Sequence, residues 1–398
     1  MRTLVKFIAL IIIINAVINT TKDFIHFEDG NLSEEPITGT TYYVATTGSN
    51  KNEGTSSSEP LSSISAAIEK MEPGDGVIIS EGTFTEKITI SKSGISGKPI
   101  IIRAKGNVII DGQDGGGTLL TIAKKSSYIN IEGLTFKNLN AVEAKGICLK
   151  AGCNHIQISG CYFENIQTPE PSKKYNTANA VYFEGSGETE DTAIDNITIK
   201  SCTLKNIGAG WSEAISVDGN CSNIILDGIT ATAPDVKSNI CICICGHDPR
   251  TNRNLNVNRP RHVTVTNCNI KDCVSPYGND AYCIYVDGAY DVTITGNTVA
   301  SSEGGIEIGA EHETTTFKGR DTEKVVVEKN TIDHCKTAIY IGGFNDKTCG
   351  YAYDVTVSEN KFSSSGDILL DKCDQVTLSG VDSSKVNHTS RTGKYNID

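Results

Sequence analysis

A short strand pattern recurs along this chain and constrains the fold more than any other feature. Each copy alternates apolar with polar residues, and the spacing between copies varies, as in stacked coils joined by loops of different length. Such a coil cannot bury its apolar face alone, so its neighbours must stack on it. The clear copies are Ile129–Phe136, Ile156–Phe163, Ile197–Leu204, Val263–Ile270, Val292–Val299, Val325–Ile332 and Val355–Phe362, and weaker copies start at Ile224 and Val376.

A second strand pattern alternates with the first. It reads apolar, variable, apolar, then polar or small, and glycine or alanine usually follows. Two alternating families give every coil at least two faces, and the strands of successive coils pair in parallel. The sequence therefore predicts an all-β right-handed parallel β-helix. The copies are Gly146–Gly152, Ala180–Ser186, Ala214–Asn220, Cys241–His247, Cys283–Ala289, Gly305–Glu311, Ala338–Phe344 and Asp367–Cys373.

The alternation assigns each side chain of the second pattern to the inside or the outside, because strand side chains change face at every residue. Ile147 and Leu149 begin two inward columns of aliphatic residues. The first outward column is predicted to contain Cys148, Tyr182, Ser216, Cys243, Tyr285, Glu307, Tyr340 and Leu369. The second is predicted to contain Lys150, Glu184, Asp218, Cys245, Asp287, Gly309, Gly342 and Asp371.

One position of the first pattern carries like residues in successive copies. Asparagine amides at such a position can hydrogen-bond from coil to coil, so we interpret the column as structural. Its members are Cys161, Cys202, Cys268, Asn297, Asn330 and Asn360.

The N-terminus has the features of an export signal followed by a cap. Residues 1–20 combine a positively charged start with the apolar run Phe7–Ile18, which is too short to span a bilayer comfortably. Ser62–Met71 predicts an amphipathic helix that covers the open end of the β-helix. We expect a signal peptide over 1–20, a disordered lead-in over 21–41 and one β-helix domain over 42–398. The protein is then secreted or held at the cell surface.

The fourteen cysteines leave two readings open. An even number in an exported chain favours some disulfides, and Cys335 with Cys349 is the pair we name. Thiols in the ladder position instead behave as small apolar residues. Cys241, Cys243 and Cys245 alternate onto one face, but same-face residues lie ~6.5–7 Å apart, too far to share a zinc ion. We expect no metal site there.

The run from Tyr42 to Ala104, with Ser62–Met71 inside it, resembles the cap and first coils of the pectin lyase-like superfamily. Ile284–His312 (IYVDGAYDVTITGNTVASSEGGIEIGAEH) resembles a subgroup of bacterial secreted β-helix proteins. The resemblance covers residues 42 to about 380 and implies a polysaccharide partner. It does not settle the chemistry, since the superfamily contains lyases, hydrolases, epimerases and non-catalytic adhesins.

The outward columns suggest where chemistry takes place. Asp287 and Glu307 are predicted as diagonal neighbours, ~6–8 Å apart on rungs spaced ~4.8 Å, a separation at which carboxyls can act as general acid and base. Glu311 and His312 would orient them. The predicted substrate-binding residues are Tyr182, Glu184, Asp218, Tyr285, Tyr340, Arg250 and Arg253: the tyrosines stack on sugar rings and the arginines meet carboxylates or sulfates.

Three functions remain open at this point. The leading expectation is a pectate lyase-like polysaccharide lyase, in which Asp218, Glu184 and Asp287 would gather Ca²⁺ and Lys150, Lys145 or a loop arginine would supply the base. The alternatives are a glycoside hydrolase using Asp287 and Glu307, and a non-catalytic adhesion protein. Neither the pectate lyase nor the polygalacturonase catalytic set transfers residue by residue.

The net charge of −12 disfavours binding to nucleic acid. No membrane contact beyond the signal segment is expected, and the protein is expected to be a monomer.

Overall fold

Parallel strands wind through the computed structural model in repeated coils, and each strand pairs with its counterpart in the coil above and below. The structure describes residues 35–173, 176–232, 240–246, 256–275, 281–310, 321–343 and 349–398. From Ile37 to Asp398 the chain belongs to one compact unit. The predicted all-β parallel β-helix is confirmed.

Sheet 1 contains the second strand family and carries the candidate site on its outer face. With strands numbered β1 to β32 in chain order, it consists, within the described ranges, of β3 (Ile88–Ile90), β5 (Thr118–Ile122), β8 (Ala144–Lys150), β11 (Ala178–Glu184), β14 (Glu213–Asp218), β17 (Ile240–Cys245), β20 (Tyr282–Asp287), β23 (Gly304–Gly309), β26 (Thr337–Gly342), β29 (Ile368–Asp371) and β31 (Val386–His388).

Sheet 2 contains the first strand family as two parallel ladders that share the long strand β4. The ladder carrying the first half of each repeat is β1 (Thr41–Val44), β2 (Gly76–Phe84), β4 (Ile100–Gly115), β6 (Ser127–Glu132), β9 (Asn154–Ser159), β12 (Ile194–Lys200), β15 (Cys221–Asp227), β18 (Arg261–Thr266), β21 (Tyr290–Thr295), β24 (Thr322–Glu328), β27 (Ala352–Ser358), β30 (Cys373–Leu378) and β32 (Tyr395–Ile397). The other ladder is β7 (Thr135–Asn140), β10 (Tyr162–Gln167), β13 (Thr203–Gly208), β16 (Thr230–Thr232), β19 (Asn269–Lys271), β22 (Thr298–Ala300), β25 (Thr331–Asp333) and β28 (Lys361–Ser363).

The core is the interior of this coil, and its register follows the predicted columns. Ile147 pairs with Val181 and Val181 with Ile215, and the column continues in the same register to Ile368. These aliphatic side chains are buried. Because a shift by one residue would turn every one of them to the outside, the apolar column fixes which residues face outward.

The asparagine ladder forms at the turn between the two ladders of sheet 2. Asn330 is fully buried; its Nδ2 donates to Asn360 Oδ1 at 3.0 Å and to the Ile294 carbonyl at 2.9 Å. Its Oδ1 accepts from the backbone amide and from Nδ2 of Asn297, both at 2.9 Å. The predicted structural role is confirmed, since the amide meets the polar groups that the turn would otherwise leave unpaired.

The predicted capping helix is α1 (Ile64–Lys70), which buries Ile64, Ala67 and Ile68. The carboxylate of Glu86 lies at its N-terminus and accepts from the backbone amides of Ile64 and Ser65 at 2.6 and 3.0 Å. The short 3₁₀ turns are Glu190–Thr192 and Ser383–Lys385. No helix within the described residues is long and apolar enough to cross a bilayer.

The predicted lead-in needs one correction at its end. The amides of Thr38 and Gly39 donate to the Gly74 carbonyl, and β1 begins at Thr41. These residues are ordered because they join the edge of the cap, so the lead-in ends earlier than predicted. The predicted signal peptide (1–20) and residues 21–34 lie outside the described residues.

All fourteen cysteines are buried free thiols. The predicted pair is therefore not bridged: Cys335 occupies a turn of the core, where its Sγ donates to the Asp333 carbonyl at 3.6 Å, and Cys349 is a separate buried thiol. Burial raises the pKa of Cys335 and of Cys268 to about 12, so both thiols stay neutral. Cys335 and Cys268 belong to the core cluster, where they act as the small apolar residues of the alternative interpretation.

Candidate functional site

The outer face of sheet 1 carries both predicted columns in the predicted register. Tyr182 pairs with Ser216 and Glu184 with Asp218 on the neighbouring strand. Tyr285 pairs with Glu307, which places Asp287 one rung from Glu307 and diagonal to it. Side chains far apart in sequence therefore line one wall, as the repeat predicts.

Solvent access divides this wall into two parts. From β17 to β26 the outward side chains are buried: Asp287 is only 2% and Glu307 only 4% exposed. Cys243, Cys245 and Tyr285 form a small apolar cluster of their own on this part. Asp287 and Glu307 thus occupy the predicted positions, and both side chains are buried.

Glycines shape this buried part of the wall. A Cβ added to Gly309 would lie 2.8 Å from Cε2 of Tyr285, and one added to Gly304 would lie 2.1 Å from Cδ1 of Tyr282. Each tyrosine ring therefore lies flat across a glycine of the next strand. Tyr285 is 5% and Tyr340 is 6% exposed, so these two predicted stacking residues are buried.

The first part of the wall, on β8, β11 and β14, is partly accessible, although Cys148 and Ser216 are buried there. The side chain of Lys150 is 31% and that of Glu184 is 43% exposed, and Tyr182 and Asp218 are half-buried. We call Lys150, Glu184, Tyr182 and Asp218 the open cluster. It contains three of the predicted substrate-binding residues together with a lysine.

Two short contacts organise the open cluster. Lys150 Nζ donates to Glu184 Oε2 at 2.5 Å, and the hydroxyl of Tyr182 donates to Asp218 Oδ2 at 3.0 Å. The ammonium of Lys145 lies 5.1 Å from the centroid of the Tyr182 ring. The arrangement places a proton donor, two carboxylates and two ammonium groups on three successive rungs.

The environment keeps both donors protonated. Burial, followed by the negative charge of Asp218 and the hydrogen bond to it, raises the pKa of Tyr182 far above its usual value. Partial burial lowers the pKa of Lys150, but the hydrogen bond to Glu184 and the neighbouring negative charges outweigh it, and the pKa is raised. Burial also raises the pKa of Cys148, which lies beside Glu184, to about 11. At neutral pH the cluster therefore offers a phenol and an ammonium.

The remaining predicted site residues fall into two groups. Glu311, His312, Arg250 and Arg253 lie outside the described residues. Two other arginines of the predicted basic loop are described: Arg259 Nη1 contacts Glu323 at 3.1 Å, and Arg261 is buried and paired with Glu190. These two arginines form ion pairs within the β-helix.

A calcium site does not fit the described side chains. No group of three histidine, cysteine, aspartate or glutamate residues among them is arranged to hold a metal ion. Glu184 is paired with the ammonium of Lys150, and Asp218 accepts from Tyr182. Asp287, the third predicted ligand, lies two rungs beyond Asp218 on the buried part of the wall.

Lys150 and Lys145 are the members of this site that sequence reasoning undervalued. The sequence suggested both lysines only as alternative bases, and Lys145 lies just before the strand pattern that starts at Gly146. The signal was their position: Lys150 heads the second outward column, and register places it next to Glu184. Trp211, 45% exposed, was also missed; it lies in the turn before β14 at the edge of the open cluster's sheet, with its indole nitrogen donating to the Ser172 carbonyl at 3.3 Å.

A family described as the Pel9A-like right-handed β-helix region matches residues 42–203, and one described as the right-handed β-helix region matches 253–393. The chain belongs to the pectin lyase-like right-handed β-helix proteins. It is 31% identical over 339 residues to the uncharacterized protein YwoF of Bacillus subtilis (strain 168), covering 81% of this chain and 68% of that protein.

Two solved structures show how widely the fold is shared. An alginate lyase from Paenibacillus sp. str. FPU-7 aligns with a TM-score of 0.54 at 18% identity and covers 78% of this chain and 95% of its own. A family 28 exopolygalacturonase from Yersinia enterocolitica aligns with a TM-score of 0.59 at 10% identity and covers 84% of this chain and 75% of its own. At these identities the likeness concerns the fold, and activity must be argued from the site.

Proposed function

We propose that this protein is an exported polysaccharide lyase that cleaves an acidic, uronate-containing polysaccharide at the open cluster. One observation carries the proposal: Lys150–Glu184 and Tyr182–Asp218 form adjacent ammonium–carboxylate and phenol–carboxylate pairs on the accessible part of the outer wall. The fold that the chain shares with an alginate lyase is compatible with such a substrate. Export is proposed from the N-terminal pattern.

The chemistry of a β-elimination assigns a role to each member of the cluster. The uronate carboxylate pairs with the Lys150 ammonium and displaces Glu184, which makes the proton on the adjacent ring carbon easier to remove. Glu184 takes that proton, the bond from the next carbon to the glycosidic oxygen breaks, and a ring double bond forms. Tyr182 gives its proton to the leaving oxygen, and Glu184 returns a proton to the phenolate through solvent. No step requires a metal ion.

The charges around the cluster favour an acidic substrate. Lys145 places one ammonium 5.1 Å from the centroid of the Tyr182 ring and Lys150 places another on Glu184, so the cluster carries two cations on a protein of net charge −12. A local pair of ammonium groups on an acidic protein concentrates a polyanion at that place. Trp211, at the rim of the same wall, offers an exposed aromatic face to a sugar ring.

A second candidate, a glycoside hydrolase, rests on the same wall. Glu184 and Asp218 are direct partners in the ladder, and a pair of neighbouring carboxyl groups is what a glycosidase uses as acid and as base or nucleophile. The predicted hydrolase pair Asp287 and Glu307 remains a further alternative, which requires solvent access that the two residues lack.

Product analysis separates these proposals. Purified protein is incubated with polygalacturonate, alginate, a glucuronan and two neutral glycans. The ultraviolet absorbance of a double bond conjugated to a carboxylate is followed together with the number of reducing ends. A lyase yields both signals from an acidic polymer, whereas a hydrolase yields reducing ends alone. A protein that binds one of the glycans and produces neither signal is the adhesion protein of the third hypothesis.

Single substitutions then locate the site. Lys150→Met, Glu184→Gln and Tyr182→Phe are each expected to abolish the new signal, whereas Asp287→Asn and Glu307→Gln are expected to preserve it in the folded fraction. If Asp287→Asn and Glu307→Gln abolish activity while the three open-cluster variants keep it, the catalytic site lies on the buried part of the wall.

A further inference from the structure

A separate depression lies at the edge of sheet 1, outside the open cluster. It has a volume of about 480 Å³ and is lined by Val274, Ser301, Ser302, Glu303, His334 and Lys336. These residues come from three consecutive turns, those that precede β20, β23 and β26. We call it the corner pocket.

The corner pocket has a rigid acidic floor. Glu303 is only 12% exposed, and its Oε2 accepts from the backbone amides of Ser275 and Ala281, both at 3.0 Å. Ser302 is buried as well, with its hydroxyl accepting from the Cys273 amide at 3.0 Å. Two lining residues are thus held by the main chain and need not be ordered when a ligand arrives, which lowers the entropy cost of binding.

The rim of the corner pocket is accessible and only weakly engaged. The side chain of Lys336 is 75% exposed, and its Nζ lies 3.5 Å from Glu303 Oε1, longer than the 2.7–2.9 Å typical of a charge-assisted hydrogen bond. His334 is 63% exposed and bonds Asp333 through Nδ1 at 2.7 Å, which leaves its other ring nitrogen for a ligand hydroxyl. Val274, 49% exposed, adds an apolar patch.

This combination suits one class of ligand. A pyranose ring presents an apolar C–H face and a rim of hydroxyl groups, which match Val274 on one side and Glu303, Ser301 and His334 on the other. The exposed ammonium of Lys336 can meet a carboxylate on that ring. A uronate residue therefore uses every kind of group that the pocket offers.

The position of the corner pocket relates it to the open cluster. Trp211 lies in the turn before β14, on the same edge of sheet 1 as the turns that form the pocket. The pocket begins two rungs and ends four rungs beyond β14, ~10–19 Å along the axis at ~4.8 Å per rung. A polymer held at the open cluster and passing Trp211 can reach it.

We propose that the corner pocket is a distal subsite that binds a carboxylate-bearing sugar of the polymer cleaved at the open cluster. The inference rests on the proposed function, since it takes the ligand from the same chain. Its consequence is a preference for long substrates: occupancy of the subsite tightens polymer binding without touching the bond that breaks.

The test measures binding and turnover separately. Lys336→Met and Val274→Asp are made in the full chain, with Lys361→Met, on an exposed strand of sheet 2, as the matched control. Affinity for acidic polymer is measured by affinity electrophoresis in a Tyr182→Phe background. Loss of one charge-assisted contact is expected to weaken polymer binding by about tenfold. Circular dichroism checks that each variant is folded.

Kinetics in the active background complete the test. KM for the polymer is expected to rise in both variants, with kcat unchanged, and turnover of a trisaccharide is expected to stay as in the wild type. Wild-type affinity and KM in Lys336→Met and Val274→Asp overturn the subsite and leave the proposed function standing. A wild-type protein that neither binds nor cleaves any acidic polymer overturns the proposed function and the subsite with it.

Discussion

Tyr182 and Asp218 meet across neighbouring strands of sheet 1, where the phenol donates to the carboxylate at 3.0 Å. Burial and this carboxylate hold the pKa of the phenol far above its usual value, so Tyr182 enters any reaction as a proton donor. The contact is half-buried, and the ammonium of Lys145 lies 5.1 Å from the centroid of the Tyr182 ring.

Replacing Tyr182 by phenylalanine removes the donor and keeps the ring. We expect kcat to fall by about 10²–10⁴-fold, the usual contribution of a general acid, with little change in polymer affinity. The pH profile gives a second readout: because the pKa of Tyr182 is raised, wild-type activity should not decline between pH 7 and 9 through ionisation of the phenol. An alkaline decline in that range that disappears in Tyr182→Phe would contradict the assignment.

Lys150 is expected to distinguish acidic from neutral substrates. Lys150→Met removes the ammonium and should abolish cleavage of the free acid, while Lys150→Arg keeps a cation and should retain part of the activity. The measurement is kcat/KM on polygalacturonate and on its methyl ester. Equal losses on both polymers would show that Lys150 supports the fold of the site and does not recognise the carboxylate.

The two outward columns of sheet 1 could be predicted from the sequence for a physical reason. Ile147 and Leu149 must face the core, and strand alternation then forces Cys148 and Lys150 outward. The register in which the strands of successive coils pair could also be predicted, because neighbouring coils carry the same pattern. For the same reason the neighbour relation of Asp287 and Glu307 was predicted correctly.

The sequence did not predict which of the outward side chains of sheet 1 are exposed to solvent. Whether an outward residue is covered depends on how neighbouring side chains and loops pack, and the local pattern around Asp287 is the same as that around Asp218. Asp287 is buried and Asp218 is half-buried all the same. The contact between Lys150 and Glu184 was also beyond sequence reasoning, since it depends on which of several neighbours a flexible lysine selects.

The asparagine ladder is expected to dominate local stability. Asn330→Ala removes an amide that satisfies the Asn297 backbone amide and the Ile294 carbonyl, both buried. The loss should be about 3–5 kcal/mol in the free energy of unfolding, because several buried groups lose their partner together. The neighbouring Lys329→Ala, an exposed position, serves as the control in urea titrations. A cost below about 1 kcal/mol for Asn330→Ala would mean that water replaces the ladder.

Buried thiols predict a loss of stability at alkaline pH. Burial raises the pKa of Cys243 and Cys268 from 9.0 to about 12 in the folded state, so both are neutral there while the unfolded thiols ionise. A raised folded-state pKa contributes stability that is fully present below pH 9 and is lost as pH rises from 9 toward 12. Each such thiol lowers the free energy of unfolding by up to about 1.4 kcal/mol per pH unit between pH 9 and 12.

Urea unfolding under reducing conditions at pH 7.5, 9.5 and 10.5 tests this alkaline dependence. Cys268→Ala should be less stable than the wild type at pH 7.5, since it leaves a small cavity, yet its stability should decline less steeply above pH 9. The difference in slope isolates one thiol from the lysines and tyrosines that also titrate there. Parallel declines in wild type and variant would show that the Cys268 thiol ionises as readily in the folded coil as in the unfolded chain.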